Sequence, residues 1–94
     1  MYKENIILEN ETGLHARPVS ILVKEASKFI SDISFIKEDN EYNAKSIMSI
    51  LSMGAGLGDY LTIIAVGEDE EKAVKKMIEV LKDLKWLEDF IWKD

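Results

Sequence analysis

The only histidine of the chain, His15, lies two residues before an arginine, where a helical pattern begins. The first N–H groups of a helix have no partner inside the helix, and the helix dipole is positive at that end, so the position attracts an anion such as phosphate. A neutral imidazole there can accept a phosphoryl group, and the guanidinium of Arg17 can pair with the phosphoryl oxygens. The residue types therefore predict either a phosphohistidine or a histidine without a chemical role.

The residues around His15 favour reversible transfer over hydrolysis. Pro18 falls in the first turn of the predicted helix, where its missing N–H costs little, and the N–H groups of Ala16 and Arg17 are left to face an anion. A histidine with a pKa near about 6.5 is mostly neutral at neutral pH and can act as a nucleophile. The dipole stabilises an anion by only about 0.3–2 kcal/mol, which suits a group that must be passed on. The pattern identifies no base that would activate water.

The elements that must position this segment are predicted from the spacing of apolar residues. Positions three and four apart predict a helix from Ala16 to about Phe29 and a long one after the acidic run Glu68–Glu71. Turn residues divide the remaining apolar runs into four strands and one short helix. The strands run from about Tyr2 to Leu8, from Ile33 to Ile36, around Tyr42 and from Tyr60 to Val66, and the short helix follows Ser46 and stops before Gly54.

The predicted element order is β-α-β-β-α-β-α. Strands separated by helices are compatible with parallel pairing, but the tight turn at Glu38–Asn40 requires at least one antiparallel pair. The pattern therefore favours an α+β fold, in which helices cover one face of a four-stranded sheet that is mixed or antiparallel. The strand order is left open.

Composition restricts the function classes. The 94 residues predict one domain, 1–94, and 47% hydrophobic with 32% charged residues is typical of a soluble globular protein. The formal charge of −6 argues against direct binding to nucleic acid or to an anionic membrane. The chain has no cysteine for a disulfide or thiolate site, and no apolar run approaches the ~20 residues of a membrane span. We therefore expect an intracellular protein without a signal peptide or membrane insertion.

Two segments resemble motifs of a known family. Gly13-Leu14-His15-Ala16-Arg17-Pro18 is similar to the active-site motif of HPr, the histidine-containing phosphocarrier of the bacterial sugar phosphotransferase system. Lys45-Ser46-Ile47-Met48, followed by Leu51-Ser52-Met53-Gly54, resembles the regulatory-serine region of the same family. The separation of the two motifs and the element order agree as well, and the resemblance runs from about Tyr2 to Leu84.

The resemblance implies a fold, a role and a set of partners. The fold is an open-faced β-sandwich of the α+β class, a four-stranded antiparallel sheet covered on one face by three helices. His15 would be phosphorylated on Nδ1 by phospho-enzyme I and would pass the group to the A domains of sugar permeases, while Arg17 neutralises the phosphoryl oxygens. The protein would then be a cytoplasmic carrier and not an enzyme, with neither a metal nor an organic cofactor of its own.

Ser46 matches the serine that HPr kinase/phosphorylase modifies in low-GC Gram-positive relatives. A serine before a helix is also a natural N-cap, and a phosphate of about −2 charge is favoured at that end. Phosphorylation is expected to weaken transfer from enzyme I and to favour binding to a catabolite-control repressor. Two alternatives stay open: Ser46 only caps its helix, or the chain is a regulatory-only paralogue that serves as a corepressor. The presence of His15 with Arg17 favours the carrier.

The short second helix predicts a docking surface. Ile50 and Met53 are expected in the core, which leaves Ile47, Met48 and Leu51 as an exposed apolar patch of the kind that marks interfaces. A locally basic solvent side on the first helix is expected to steer acidic partners, and an ordinary solvated face is the alternative. The residues assigned to that side are Arg17, Ser20, Lys24 and Lys28, with Lys45 beside Ser46.

Two features depart from the family pattern. Ser49 stands where many relatives have glycine, which is expected to stiffen the short helix and to affect docking of the kinase. Residues 85–94 form a C-terminal extension rich in aromatic and aliphatic side chains. Because the apolar phase shifts after Leu84, Trp86 and Phe90 fall on a different face from Leu81. The extension is expected to pack back on the domain, and self-association is the alternative.

Overall fold

The computed structural model describes residues 1–9 and 16–87, with side chains for residues 1–9 and 18–83. Seven elements follow one another in the predicted order β-α-β-β-α-β-α. The strands are β1 (Tyr2–Ile7), β2 (Asp32–Lys37), β3 (Asn40–Asn43) and β4 (Tyr60–Val66), and the helices are α1 (Ala16–Ala26), α2 (Ile47–Met53) and α3 (Glu70–Leu87).

The four strands form one sheet in the order β1-β4-β2-β3, and every neighbouring pair is antiparallel. The antiparallel open-faced sandwich is therefore confirmed, and the order that the sequence left open is set by β4, which lies between β1 and β2. On one face α3 packs against β1, β4 and β2, and α1 packs against α2 and α3. The other face is open and carries Ile7, Tyr60 and Val66 as exposed side chains.

The core lies between the helices and the sheet. Alternate residues of β2 and β4 are buried, as a half-buried strand requires, and each helix contributes one apolar stripe. Burying each large aliphatic or aromatic side chain stabilises the fold by about 1.5–3 kcal/mol. The fully buried large side chains are Leu8, Val19, Leu22, Ile33, Phe35, Ile50, Leu61, Ile63, Val74 and Met77.

The first helix ends earlier than predicted. The apolar spacing placed its end near Phe29, whereas α1 stops at Ala26. The Ser27 hydroxyl donates to the carbonyl oxygen of Val23 at 2.8 Å. The next two N–H groups, of Lys28 and Phe29, then donate to carbonyl oxygens three residues back, both at 3.2 Å. This tighter turn keeps Phe29 against the buried cluster, so the apolar spacing continues beyond the helix itself.

The β2–β3 hairpin turns on two residues rather than three. Glu38 and Asp39 have φ values of 50° and 67°, and a pair of positive φ values is typical of a type I′ turn. The sequence placed Asn40 in this turn, but Asn40 is the first residue of β3 and pairs with Lys37.

A polar cluster ties the start of α3 to the turn before β2. The Asp69 carboxylate accepts the N–H groups of Ile30 (3.1 Å) and Ser31 (3.0 Å) and the hydroxyl of buried Ser31 (2.5 Å). The Ser31 hydroxyl, and after it the two backbone N–H groups, lower the pKa of Asp69, so this carboxylate remains ionised below its ordinary titration range. The cluster therefore fixes the relative position of two segments that lie 38 residues apart.

Candidate functional site

The first helix begins where the sequence predicted a helix. The helix begins at Ala16, the residue that follows His15 in the sequence. Pro18 lies in its first turn and is buried, next to buried Val19. The placements of His15 and of the Arg17 side chain fall outside the described residues. The predicted position of Pro18 is confirmed, and the four N–H groups that open any α-helix lie at this end.

The residue that follows β1, Leu8, is held by backbone hydrogen bonds to the 56–59 turn before the chain reaches the 10–15 segment. The N–H of Leu8 donates to the carbonyl oxygen of Asp59 (2.9 Å), and the N–H of Gly58 donates to the carbonyl oxygen of Leu8 (2.8 Å). The Asp59 carboxylate accepts the N–H of Gly56 (2.8 Å) and forms an ion pair with Lys37 (3.4 Å). The Gly56 hydrogen bond, with Lys37 as a weaker contributor, lowers the pKa of Asp59. The 56–59 turn therefore holds the end of β1 through two backbone hydrogen bonds to Leu8. The sequence pattern did not predict these contacts.

Ser46 is the N-cap of α2, as predicted. Its backbone is extended, and its hydroxyl accepts the N–H of Ser49 at 3.2 Å. The other end of α2 is closed by Gly54, whose φ of 62° is left-handed and whose N–H donates to the carbonyl oxygen of Leu51 at 3.3 Å. A left-handed residue after a helix favours glycine because it has no Cβ. Both ends of this short helix are therefore set by its sequence.

The apolar patch on α2 is narrower than predicted. Ile50 and Met53 are buried, as expected, and Ile47 (42% exposed) and Met48 (77% exposed) face solvent. Leu51, which was predicted to be exposed with them, is only half-exposed because it packs against the buried cluster. The exposed patch therefore consists of Ile47 and Met48, directly after Ser46.

Two of the lysines assigned to the basic face of α1 and to the position beside Ser46 have hydrogen-bond or ion-pair partners. Lys24 is exposed on α1, and so is Ser20. Lys45, however, donates from its Nζ atom to the carbonyl oxygen of Phe29 at 2.7 Å, which ties the entry of α2 to the turn after α1. Lys28 lies beyond the end of α1 and forms an ion pair with Glu25 at 2.8 Å. The Lys28–Glu25 pair has the i,i+3 spacing of helical neighbours, whereas helical periodicity does not reveal the partner of Lys45.

Ser49 was predicted to stiffen α2, and its hydroxyl also connects this helix to β3. Its hydroxyl oxygen accepts the N–H of Asn43 at 2.8 Å, which connects α2 to the end of β3. The Asn43 side chain in turn accepts the N–H of Lys45 at 2.9 Å, forming a local turn before Ser46. The only sequence signal for this arrangement is the asparagine two residues before a lysine at a predicted strand end.

Within the described ranges, no cluster of three or more carboxylate, histidine or cysteine side chains is arranged to hold a metal ion. None of the helices in those ranges has the length and hydropathy of a membrane span.

A comparison with protein families identifies the family to which this chain belongs. The family model described as the PTS HPr component phosphorylation site matches residues 2–83. The chain belongs to the HPr family. HPr proteins are phosphocarriers of the phosphotransferase system, and the predicted membership of this family is confirmed. Residues 84–94 lie beyond the family match.

Relatives of two kinds are similar to this HPr-family chain. The phosphocarrier protein HPr of Mycoplasma capricolum is 41% identical over 83 residues, covering 88% of this chain and 93% of the relative. The HPr-like protein Crh of Bacillus subtilis is 40% identical over 77 residues, covering 82% and 91%. The crystal structure of HPr-C-His from Thermoanaerobacter tengcongensis has a TM-score of 0.84 at 42% identity, covering 88% of this chain and 93% of that one.

Proposed function

We propose that this HPr-family chain carries a phosphoryl group on His15, which it accepts from phospho-enzyme I and passes to the A domains of sugar permeases. The observation that carries the proposal is the start of α1 at Ala16, directly after the only histidine of the chain. Buried Pro18 and Val19 anchor this end of the helix in the core. The opening N–H groups of α1 therefore have a fixed position from which to stabilise a phosphoryl group on the preceding residue.

The transfer is an exchange of one bond to phosphorus for another. The lone pair of the His15 Nδ1 atom attacks phosphorus, the bond between phosphorus and enzyme I breaks, and its electron pair returns to enzyme I. In the second transfer a nucleophile of the permease A domain attacks phosphorus, the bond between phosphorus and Nδ1 breaks, and its electron pair returns to His15. Arg17, two residues further on, is assigned the neutralisation of the phosphoryl oxygens, a role suited to a planar guanidinium that stays charged. The step needs no metal or organic cofactor held by this chain.

The proposal is tested by incubating the chain with phosphoenolpyruvate and enzyme I and measuring intact mass. We expect one added phosphoryl group per chain, lost on brief acid treatment because the phosphorus–nitrogen bond is acid-labile. Omitting enzyme I is expected to leave the mass unchanged. A folded chain that stays unlabelled, while a known HPr is labelled by the same enzyme, would refute the carrier role toward that enzyme.

We also propose that Ser46 is a regulatory phosphorylation site. Its hydroxyl precedes the exposed pair Ile47 and Met48, so an added phosphate lies beside the apolar patch rather than in the core. Support also comes from the similarity to Crh, which is described as the catabolite repression HPr of Bacillus subtilis. The agents assigned to this site are HPr kinase/phosphorylase, which would modify Ser46, and a catabolite-control repressor, which would bind the modified surface.

Substitution of Ser46 by aspartate is expected to slow phosphoryl transfer from enzyme I by about tenfold at low salt, the lower end of electrostatic effects on association rates. Aspartate caps a helix as well as serine does, so α2 should be retained while a charge is added beside the patch. Ser46→Asn is the matched control, because asparagine caps without charge and should transfer at nearly the unmodified rate. Equal rates for the two variants in rapid-quench measurements at several salt concentrations would contradict the proposal.

A regulatory-only role is the alternative, since the chain is about as similar to Crh as to a phosphocarrier HPr. The two roles differ at His15, because a chain that acts only through Ser46 has no need of a phosphoryl acceptor there. Labelling by enzyme I therefore separates them, and the presence of His15 with Arg17 favours the carrier.

A further inference from the structure

Met48 presents a thioether to solvent on the exposed patch of α2. The residue is 77% exposed, whereas Ile47, the other residue of the patch, is 42% exposed. Met48 therefore contributes the larger part of the apolar surface that the patch offers to a partner. A thioether side chain is flexible and polarizable, so it adapts to an irregular apolar surface on a binding protein.

Exposure differs among the four methionines of the chain. Met53, on the same helix, and Met77, on α3, are buried in the core. Met1 is exposed, but its amino group pairs with Glu70 at the start of α3, at 2.7 Å, and it is not part of the patch. The chain has no cysteine, so all of its sulfur atoms are thioethers. An oxidant that attacks sulfur in the folded chain therefore reaches Met48 and Met1.

A hydroperoxide converts such an exposed thioether into a sulfoxide. A lone pair of the sulfur atom attacks one peroxide oxygen, and the sulfur–oxygen bond forms while the oxygen–oxygen bond breaks. With hydrogen peroxide, the proton of the transferred oxygen moves to the departing oxygen, which leaves as water. Sulfur is oxidised by two electrons and the peroxide is reduced by two. The apolar side chain thereby becomes a polar one.

The position of α2 does not depend on the Met48 side chain. The helix is held in the core by Ile50 and Met53, and its ends are set by Ser46 and Gly54. Oxidation of Met48 therefore changes the polarity of the patch and leaves the helix in place. A sulfoxide oxygen binds water, and this water must be removed before an apolar partner surface can dock.

We propose that Met48 is a site of reversible oxidation, at which a hydroperoxide weakens docking of enzyme I and so slows phosphorylation of this chain. The inference rests on the proposed phosphotransfer and adds to it a regulation that is chemically independent of Ser46. The oxidised state is reversible in principle, because methionine sulfoxide reductases return the sulfoxide to the thioether.

Treatment of the folded chain with hydrogen peroxide, followed by peptide mass mapping, tests the site. We expect one added oxygen at Met48 and one at Met1, with Met53 and Met77 unmodified and the circular dichroism unchanged. After the peroxide is removed, labelling by enzyme I and phosphoenolpyruvate is measured over a range of chain concentrations. The concentration that gives half the maximal rate should rise about tenfold while the maximal rate changes little, since an apolar docking contact is lost. Methionine sulfoxide reductases should restore the original value.

Met48→Leu isolates the site. Leucine is apolar and of similar volume but has no sulfur. Each variant is compared with its own untreated sample, because Met48 itself lies in the docking patch. Peroxide should leave the concentration dependence of Met48→Leu unchanged, although Met1 is still oxidised. Met53→Leu is the matched control on the same helix, and it should remain as sensitive as the unmodified chain because the thioether it replaces is buried.

Three results would overturn the proposal: oxygen added at Met53 or Met77 while Met48 stays unmodified, a sulfoxide at Met48 with no change in the concentration dependence, or equal slowing in Met48→Leu. The untreated sample separates this inference from the one it rests on. A folded chain that enzyme I does not label before treatment contradicts the phosphotransfer, and the oxidation switch with it. A chain that is labelled equally well before and after treatment retains the carrier role and loses only the switch.

Discussion

His15→Ala is expected to abolish labelling by enzyme I and phosphoenolpyruvate completely. Alanine has no nitrogen that can form a bond to phosphorus, and the chain contains no second histidine. The acceptor is replaced while the buried residues that hold α1 in place, Pro18, Val19 and Leu22, are retained. The variant should therefore be folded and inert. Intact mass after incubation, compared with far-ultraviolet circular dichroism of the same sample, separates loss of the acceptor from loss of structure.

A variant on the exposed side of α1 gives the matched comparison. Lys24→Ala removes a charge from the predicted steering face and leaves the acceptor in place. It should reach the same final stoichiometry of one phosphoryl group, more slowly than the unmodified chain. Acid-labile phosphate that persists on His15→Ala would assign the acceptor to another residue and remove the basis for the role of Arg17.

The features predicted well from the sequence are those that depend on neighbouring residues. Ser46 caps α2 and Gly54 closes it through contacts within three or four positions, and both were predicted. The buried stripe of α1 follows from spacing alone. Local rules failed at the end of α1, where the N–H groups of Lys28 and Phe29 bond three residues back while the apolar spacing continues to Phe29.

The features that escaped prediction join residues distant in sequence. Lys45 is charged and precedes α2, so its sequence context suggests a solvated side chain, yet its partner is the carbonyl oxygen of Phe29, 16 residues away. Leu51 is half-covered because it packs against the buried cluster, a contact that the spacing within α2 does not specify. The insertion of β4 between β1 and β2 is of the same kind, since strand order depends on which apolar faces meet and not on the pattern within each strand.

The hydrogen bonds between Ser31 and Asp69 are another contact between residues distant in sequence. Gly67, which lies against Ser31, is the position in this cluster where an added side chain is expected to destabilise the fold most. Gly67 has a φ of 151°, in the region that side chains rarely adopt. A Cβ there would lie 2.5 Å from the Ser31 hydroxyl oxygen and 2.7 Å from the Ser31 Cα atom. The hydroxyl cannot simply rotate away, because it is bonded to Asp69, and the backbone cannot move without disturbing the N–H groups that Asp69 accepts.

Gly67→Ala is therefore expected to lower the free energy of unfolding by about 3 kcal/mol, combining about 1–3 kcal/mol for the backbone conformation with about 1–3 kcal/mol for overpacking. In a domain of this size that corresponds to a fall in Tm of more than about 10 °C. Urea and thermal unfolding measure both quantities.

The matched control is Gly56→Ala. Its φ is not in the left-handed region, nothing lies within 4 Å of the added Cβ, and its N–H remains available to Asp59. Because the added methyl group meets open space, the substitution should change the free energy of unfolding by less than about 0.5 kcal/mol. Similar stabilities for the two variants would mean that the Ser31 backbone yields easily to the new methyl group. The contacts of Asp69 with Ile30 and Ser31 would then be a consequence of the packing of α3 and not one of its causes.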